Sequence, residues 1–120
     1  MTGAHGLRVW HAAREFSETV AGLASEFPRG APPHLRGQIV SAARSVSASI
    51  AEGIGRGTPG EKLYYLRVAR GSLEETQSDL RSCINKSLIT RRQFYDAWNR
   101  AIVIGRMLRA LIAKVEADDA

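Results

Sequence analysis

Fourteen of the 17 basic residues in this 120-residue chain are arginine; Lys62, Lys86 and Lys114 are the only lysines. An arginine fork offers two parallel hydrogen bonds to a phosphate or carboxylate and also stacks on planar groups. With a net charge of +5, such a surface points to RNA or DNA held electrostatically and with little regard to sequence. Arg44, Arg56, Arg92, Arg100, Arg106 and Arg109 are the candidate phosphate contacts. In the competing reading the arginines are solvated or pair across subunits with Glu52, Glu74, Glu75 and Asp79. The chain is then a purely structural homo-oligomer, a protein–protein scaffold without nucleic acid.

Other chemistries find no set of residues. Cys83 is the single cysteine, so neither an internal disulfide nor a cysteine-based zinc site is available. His5, His11 and His34 have no ligand spacing with acidic partners, and no nucleophile, histidine and acid recur at helical spacing. The run Gly53-Ile54-Gly55-Arg56-Gly57 imitates a phosphate loop, but a strand must precede such a loop and here a helical pattern does. Exposed amides of that turn and Arg56 retain the means to hold one phosphate beside the next helix. The expectation is a non-enzyme without cofactor, metal or small-molecule substrate.

These groups are positioned by four helical segments, expected at about 7–25, 33–53, 59–86 and 91–116. In the first, Val9, Ala12, Ala13, Phe16, Val20, Leu23 and Ala24 trace one face, with Arg14 and Glu18 an i, i+4 pair outside it. Residues before Leu7 read as a frayed end. Three prolines and a glycine between Phe27 and Pro33 stop the helix. Thr58-Pro59-Gly60-Glu61 and Thr90-Arg91-Arg92-Gln93 have the form of capping boxes. Leu66, Leu73 and Leu80 repeat every seven residues with Ala69, Thr76 and Cys83 between them, a bundle seam. Arg70 and Glu74 are spaced as an outside pair. In the last segment Phe94, Ala97, Trp98, Ala101, Ile104, Leu108, Leu111, Ile112 and Val115 form the core face, and six basic residues face two acidic ones. The acidic end from Glu116 reads as a loose tail. Short loops between amphipathic helices give an all-α, up-down-up-down antiparallel four-helix bundle in a single domain.

The second segment stands apart. Between Ala42 and Ala51 its one charge is Arg44. Ile39, Ala43, Val46, Ile50 and Ile54 make an apolar stripe, and Ser41, Ser45, Ser49 and Glu52 a polar one. So little charge implies cover on more than one side. Glu52 closes this helix against the macrodipole, which asks for a compensating cation. Arg56 is nearest in sequence, and Arg67, Arg70, the turn amides or another subunit's arginine are alternatives. Glu52, Gly53, Gly55 and Arg56 are therefore expected to form a partly buried anchor for the turn, with Gly53 or Gly55 in a left-handed conformation. Trp10 lies beside the first helix's core face, and Val103 and Met107 lie off that of the fourth, among arginines. Apolar groups so placed mark an oligomer interface.

The stretch Ile50-Ala51-Glu52-Gly53-Ile54-Gly55-Arg56 resembles the Ile-Ala-Glu-Gly-x-Gly-Arg signature of the small four-helix bundle proteins encoded in intervening sequences of 23S rRNA genes. Val9-Trp10, Phe27-Pro28 and Ala69-Arg70-Gly71-Ser72-Leu73-Glu74-Glu75 resemble further family segments in the same order, covering about Leu7 to Val115. The resemblance implies a four-helix bundle, commonly a ring-shaped homopentamer. It also implies kinship with accessory proteins of diversity-generating retroelements, whose partners are nucleic acid and a reverse transcriptase. The chain departs from the pattern at Val40 and Ser41, where the family has two arginines, and at Ser49, where it has asparagine. No charged leader with an apolar run and no long apolar stretch is evident, and the expected setting is cytoplasmic, away from the membrane.

Overall fold

The computed structural model describes residues 3–119, all in four helices and their connections: α1 (Gly3–Ser25), α2 (Pro33–Gly55), α3 (Pro59–Asn85) and α4 (Arg91–Asp119). No strand occurs among the described residues. Spatial neighbours are α1/α2, α2/α3, α3/α4 and α4/α1. Cross-helix contacts give the directions: Gln38 meets Asp79, Ser45 meets Ser72 and Gly53 meets Leu66, so α2 and α3 run antiparallel. Likewise Arg67 meets Glu116 and Arg81 meets Trp98 across α3 and α4. The result is an up-down-up-down bundle measuring 51 × 23 × 18 Å.

The apolar stripes fill the centre. Val9, Ala13, Phe16 and Val20 from α1, Ile39, Ala43, Val46 and Ile50 from α2, Leu66, Leu73 and Leu80 from α3, and Ala101, Ile104 and Leu108 from α4 are buried. Removing this much apolar surface from water is the main force holding the bundle. Both capping boxes form. The Thr58 hydroxyl accepts from the Glu61 amide at 3.2 Å. Thr90 and Gln93 exchange reciprocal bonds, amide to side chain, at 2.8 and 3.1 Å.

Three boundaries differ from the sequence expectation. The first helix starts at Gly3, not Leu7, because packing outweighs the low helix propensity of glycine. Gly6 lies under Ile54, so close that a Cβ there would come within 2.9 Å of that side chain. Met1 and Thr2, part of the expected frayed end, lie outside the described residues. The second helix continues through the glycines to Gly55, with Lys62 Nζ donating to the Ile54 carbonyl at 3.2 Å. The fourth runs on to Asp119 in place of a loose tail, and the Arg67–Glu116 ion pair at 2.9 Å ties its last turns to α3.

The left-handed backbone also falls elsewhere. Gly53 and Gly55 are helical, and positive φ occurs at Gly30 (89°) and Ser87 (59°). Ser87 closes α3: the Leu88 amide reaches back to the Cys83 carbonyl at 2.9 Å, a closure in which αL geometry satisfies the last carbonyls. Gly53 is needed for a different reason. A Cβ there would meet the Lys62 carbonyl oxygen and the Tyr65 Cβ, both at 3.3 Å. Absence of a side chain lets α3 cross the end of α2 at close range.

Candidate functional site

The turn between α2 and α3 is organised by Arg56. Its Nη2 donates to Glu52 Oε2 at 2.8 Å and to the Tyr65 hydroxyl at 3.2 Å, and its Nη1 lies 3.8 Å from Glu61 Oε2. The guanidinium stands over the Tyr65 ring, 5.0 Å from its centroid. Its proton is held above the ordinary arginine value, first by the Glu52 hydrogen bond and then by the Tyr65 hydroxyl. Glu52 does meet Arg56, but its side chain is 55% exposed, not partly buried. Lys62, which donates to the Ile54 carbonyl, is a second cation at the α2 end that helps to offset the macrodipole, and the Glu52–Arg56 pair is a surface one. Arg56 has its donors engaged by two carboxylates and a phenol.

The remaining candidate arginines divide between two sides of the bundle. Arg100 on α4 is engaged, lying 3.4 Å from Asp96 and 3.9 Å from Glu15. Arg44, Arg92, Arg106 and Arg109 are exposed and make no ion pair among the described residues. Arg44 stands on α2, diagonally across the bundle from α4, in an open groove with Arg14, Ser17 and Ser47. Arg92, Arg106 and Arg109 share α4 with exposed Tyr95, Ile102 and Val103. Arg14 and Glu18 do pair, at 3.9 Å, whereas Arg70 and Glu74 do not.

The three apolar interface candidates fall on two flanks of α1. Trp10 lies on the α2 side with Leu7, Ala51 and Ile54, and the Arg14 guanidinium stands 5.2 Å over its ring. Val103, half-exposed, lines a groove of about 370 Å³ between α1 and α4 with Ala12, Glu15 and Asn99. Met107 is half-buried against the core and borders a second cavity farther along that seam. The α1/α4 seam is the loosest of the four.

Sequence reasoning missed how polar the α2/α3 seam is. Ser72, Thr76 and Asp79 follow one another by four and three along α3, a spacing that places them on one face, opposite the Ser41–Ser45–Ser49 stripe. Ser45 and Ser72 hydroxyls meet at 2.9 Å, and Gln38 Nε2 donates to Asp79 Oδ1 at 2.7 Å. Asp79 is 5% exposed and its Oδ2 finds no partner. Burial pushes its carboxyl above the usual range, the Gln38 bond opposes that, and the charge of Glu75 adds to it. The Cys83 thiol, also buried, is pushed up to about 11 by burial and then by Asp79, which makes it a poor nucleophile. Arg36 was also missed: its Nε donates to the Ala24 carbonyl at 2.8 Å, closing the end of α1 with its guanidinium over Phe27. Among the described residues no three His, Cys, Asp or Glu side chains cluster as metal ligands. Among the described residues no helix is long and apolar enough to cross a membrane.

Comparison with solved structures finds the same fold in a protein of unknown function from the S23 ribosomal protein family of Bacteroides thetaiotaomicron. The match has a TM-score of 0.80 at 22% identity over 91% of this chain and 98% of that one. No curated relative matches. The sequence pattern of the 23S rRNA-intervening sequence proteins matches residues 5–110, nearly the whole bundle from α1 into α4. The Ile50–Arg56 signature and the four helices that carry it are thus those of a known group: the chain belongs to the 23S rRNA-intervening sequence protein family.

Proposed function

We propose that this chain is a non-enzymatic homo-oligomer that binds RNA or DNA through the outer face of α4. The observation that carries this reading is the set Arg92, Arg106 and Arg109, exposed and without an ion pair among the described residues, interleaved with the exposed Tyr95 and Ile102. Arginines without internal partners keep their forks for phosphate. An exposed ring among them offers a platform on which bases stack, the combination used for single strands. Self-association is supported by apolar side chains left accessible on opposite flanks of α1, Trp10 with Leu7 on one and Val103 in a mixed polar groove on the other. Two dissimilar patches suit a head-to-tail contact, which closes into a ring where the rotation between neighbours permits, in keeping with the homopentamer that the family resemblance implies. A scaffold without nucleic acid is the second reading. It is favoured by Glu74 and Glu75, which are exposed on α3 without an ion pair among the described residues and so are free to receive a neighbour's arginines.

Fluorescence anisotropy with labelled single-stranded RNA and DNA separates the two readings. Binding by the wild type should weaken steeply with salt. The triple variant R92Q/R106Q/R109Q should lose affinity and flatten the log–log salt slope by about 0.7 per lost phosphate contact. No salt-dependent binding of either nucleic acid by the wild type leaves the scaffold.

A further inference from the structure

The α1/α4 seam holds a second cavity, beyond the Val103 groove toward the start of α1. It measures about 190 Å³ and is lined by His5 and Arg8 from α1 and Met107, Ala110, Leu111 and Lys114 from α4. Met107 and Leu111, half-buried and buried, give it an apolar side. Among the described residues every side chain in its lining that can carry a charge is basic, and no carboxylate lines it. Among the described residues Arg8 and Lys114 form no ion pair, although Lys114 is itself half-buried. Glu116, the next acid along α4, is directed to Arg67 on α3. Two cations and a histidine around an apolar wall fit an anion carried on a flat or apolar body. The volume is below the roughly 300–1,000 Å³ of a drug-sized ligand site, so it has room for a base and a phosphate with the ribose that joins them left at the open mouth.

We propose that this cavity takes a single nucleotide, its phosphate between Arg8 and Lys114 and its base against Met107 and Leu111. The proposal rests on the nucleic-acid reading above and adds a place where an end or an unstacked unit of the strand is held. It differs from the α4 outer face in depth and in having an apolar wall, so it should prefer a nucleotide over either of its halves.

Calorimetric titration of the full chain with adenosine monophosphate, inorganic phosphate and adenosine tests this directly. The nucleotide should bind saturably and about tenfold or more tighter than phosphate or adenosine alone. R8Q and K114Q should each weaken it by about fivefold or more. A110W leaves both charges in place and fills the mouth of the cavity from an exposed position, and it should weaken binding at least as much. Thermal melts of the three variants check that each is folded. Nucleotide binding no tighter than phosphate, or unchanged in all three folded variants, overturns the proposal. The two readings fail separately: nucleotide binding without affinity for oligonucleotides sinks the α4 reading alone, and salt-dependent oligonucleotide binding without nucleotide binding sinks the cavity alone.

Discussion

Asp79 is the residue whose environment most sharply opposes its chemistry. One carboxylate oxygen accepts from Gln38 and the other, buried, accepts from nothing. Because burial raises its pKa in the folded state, the fold favours the protonated form. That contribution is fully present below the unfolded value of about 3.9 and is lost as pH rises through the higher folded value. Asp79→Asn keeps an oxygen for Gln38 and removes the buried charge. It replaces an unpaired buried charge by an unpaired neutral N–H, which costs less, so it should raise stability at pH 7 by up to about 1 kcal/mol and converge with wild type below about pH 4. Urea denaturation across pH checks this; a less stable variant at pH 7 would mean that the charge has a partner. Glu52 is the opposite case. Its exposed pair with Arg56 limits the effect of Glu52→Gln to under about 1 kcal/mol. A larger shift of the urea midpoint would show a buried role.

The elements were largely legible because their signals are local. Four apolar stripes at helical spacing, two capping boxes and a proline-rich break fixed the number, order and starts of α2, α3 and α4. What escaped were features set by a neighbour in space. Gly6 reads as a frayed end until Ile54 is seen to lie on it. Gly53 and Gly55 look alike in the sequence, yet one faces α3 and the other open space. This gives a contrast to measure. Gly53→Val should destabilise by more than about 1 kcal/mol through the clash with Lys62 and Tyr65. Gly55→Ala, helical and uncrowded, should be neutral or stabilise by up to about 1 kcal/mol. Equal effects in thermal melts would show that the crossing is not as close as described. Ser87 carries the left-handed turn that a glycine pattern would have advertised, so nothing in the sequence marked it. The candidate site was legible in residue type and, at the α2/α3 turn, in one local pair. The Glu52–Arg56 pair is local, four residues apart, and was legible; which of the six candidate arginines stay free was not, since of these only Arg44, Arg92, Arg106 and Arg109 make no ion pair among the described residues.

At the scale of the whole molecule, accessible apolar side chains on two flanks and one basic face share a slender bundle. A ring built head to tail would cover Trp10 on one chain and Val103 on the next. Val103→Glu, at a half-exposed position, should leave the fold intact and dissociate the assembly by placing a charge in the contact. Light scattering reads this as a fall in mass, and an unchanged mass would move the interface elsewhere. The most direct test joins assembly to binding: sedimentation velocity of the chain with a fluorescent single-stranded RNA. The predicted result is RNA co-sedimenting at low salt with a species several times 13.1 kDa and released at high salt, where the phosphate contacts are screened. A 13.1 kDa monomer, with the RNA sedimenting alone at every salt concentration, would contradict the account.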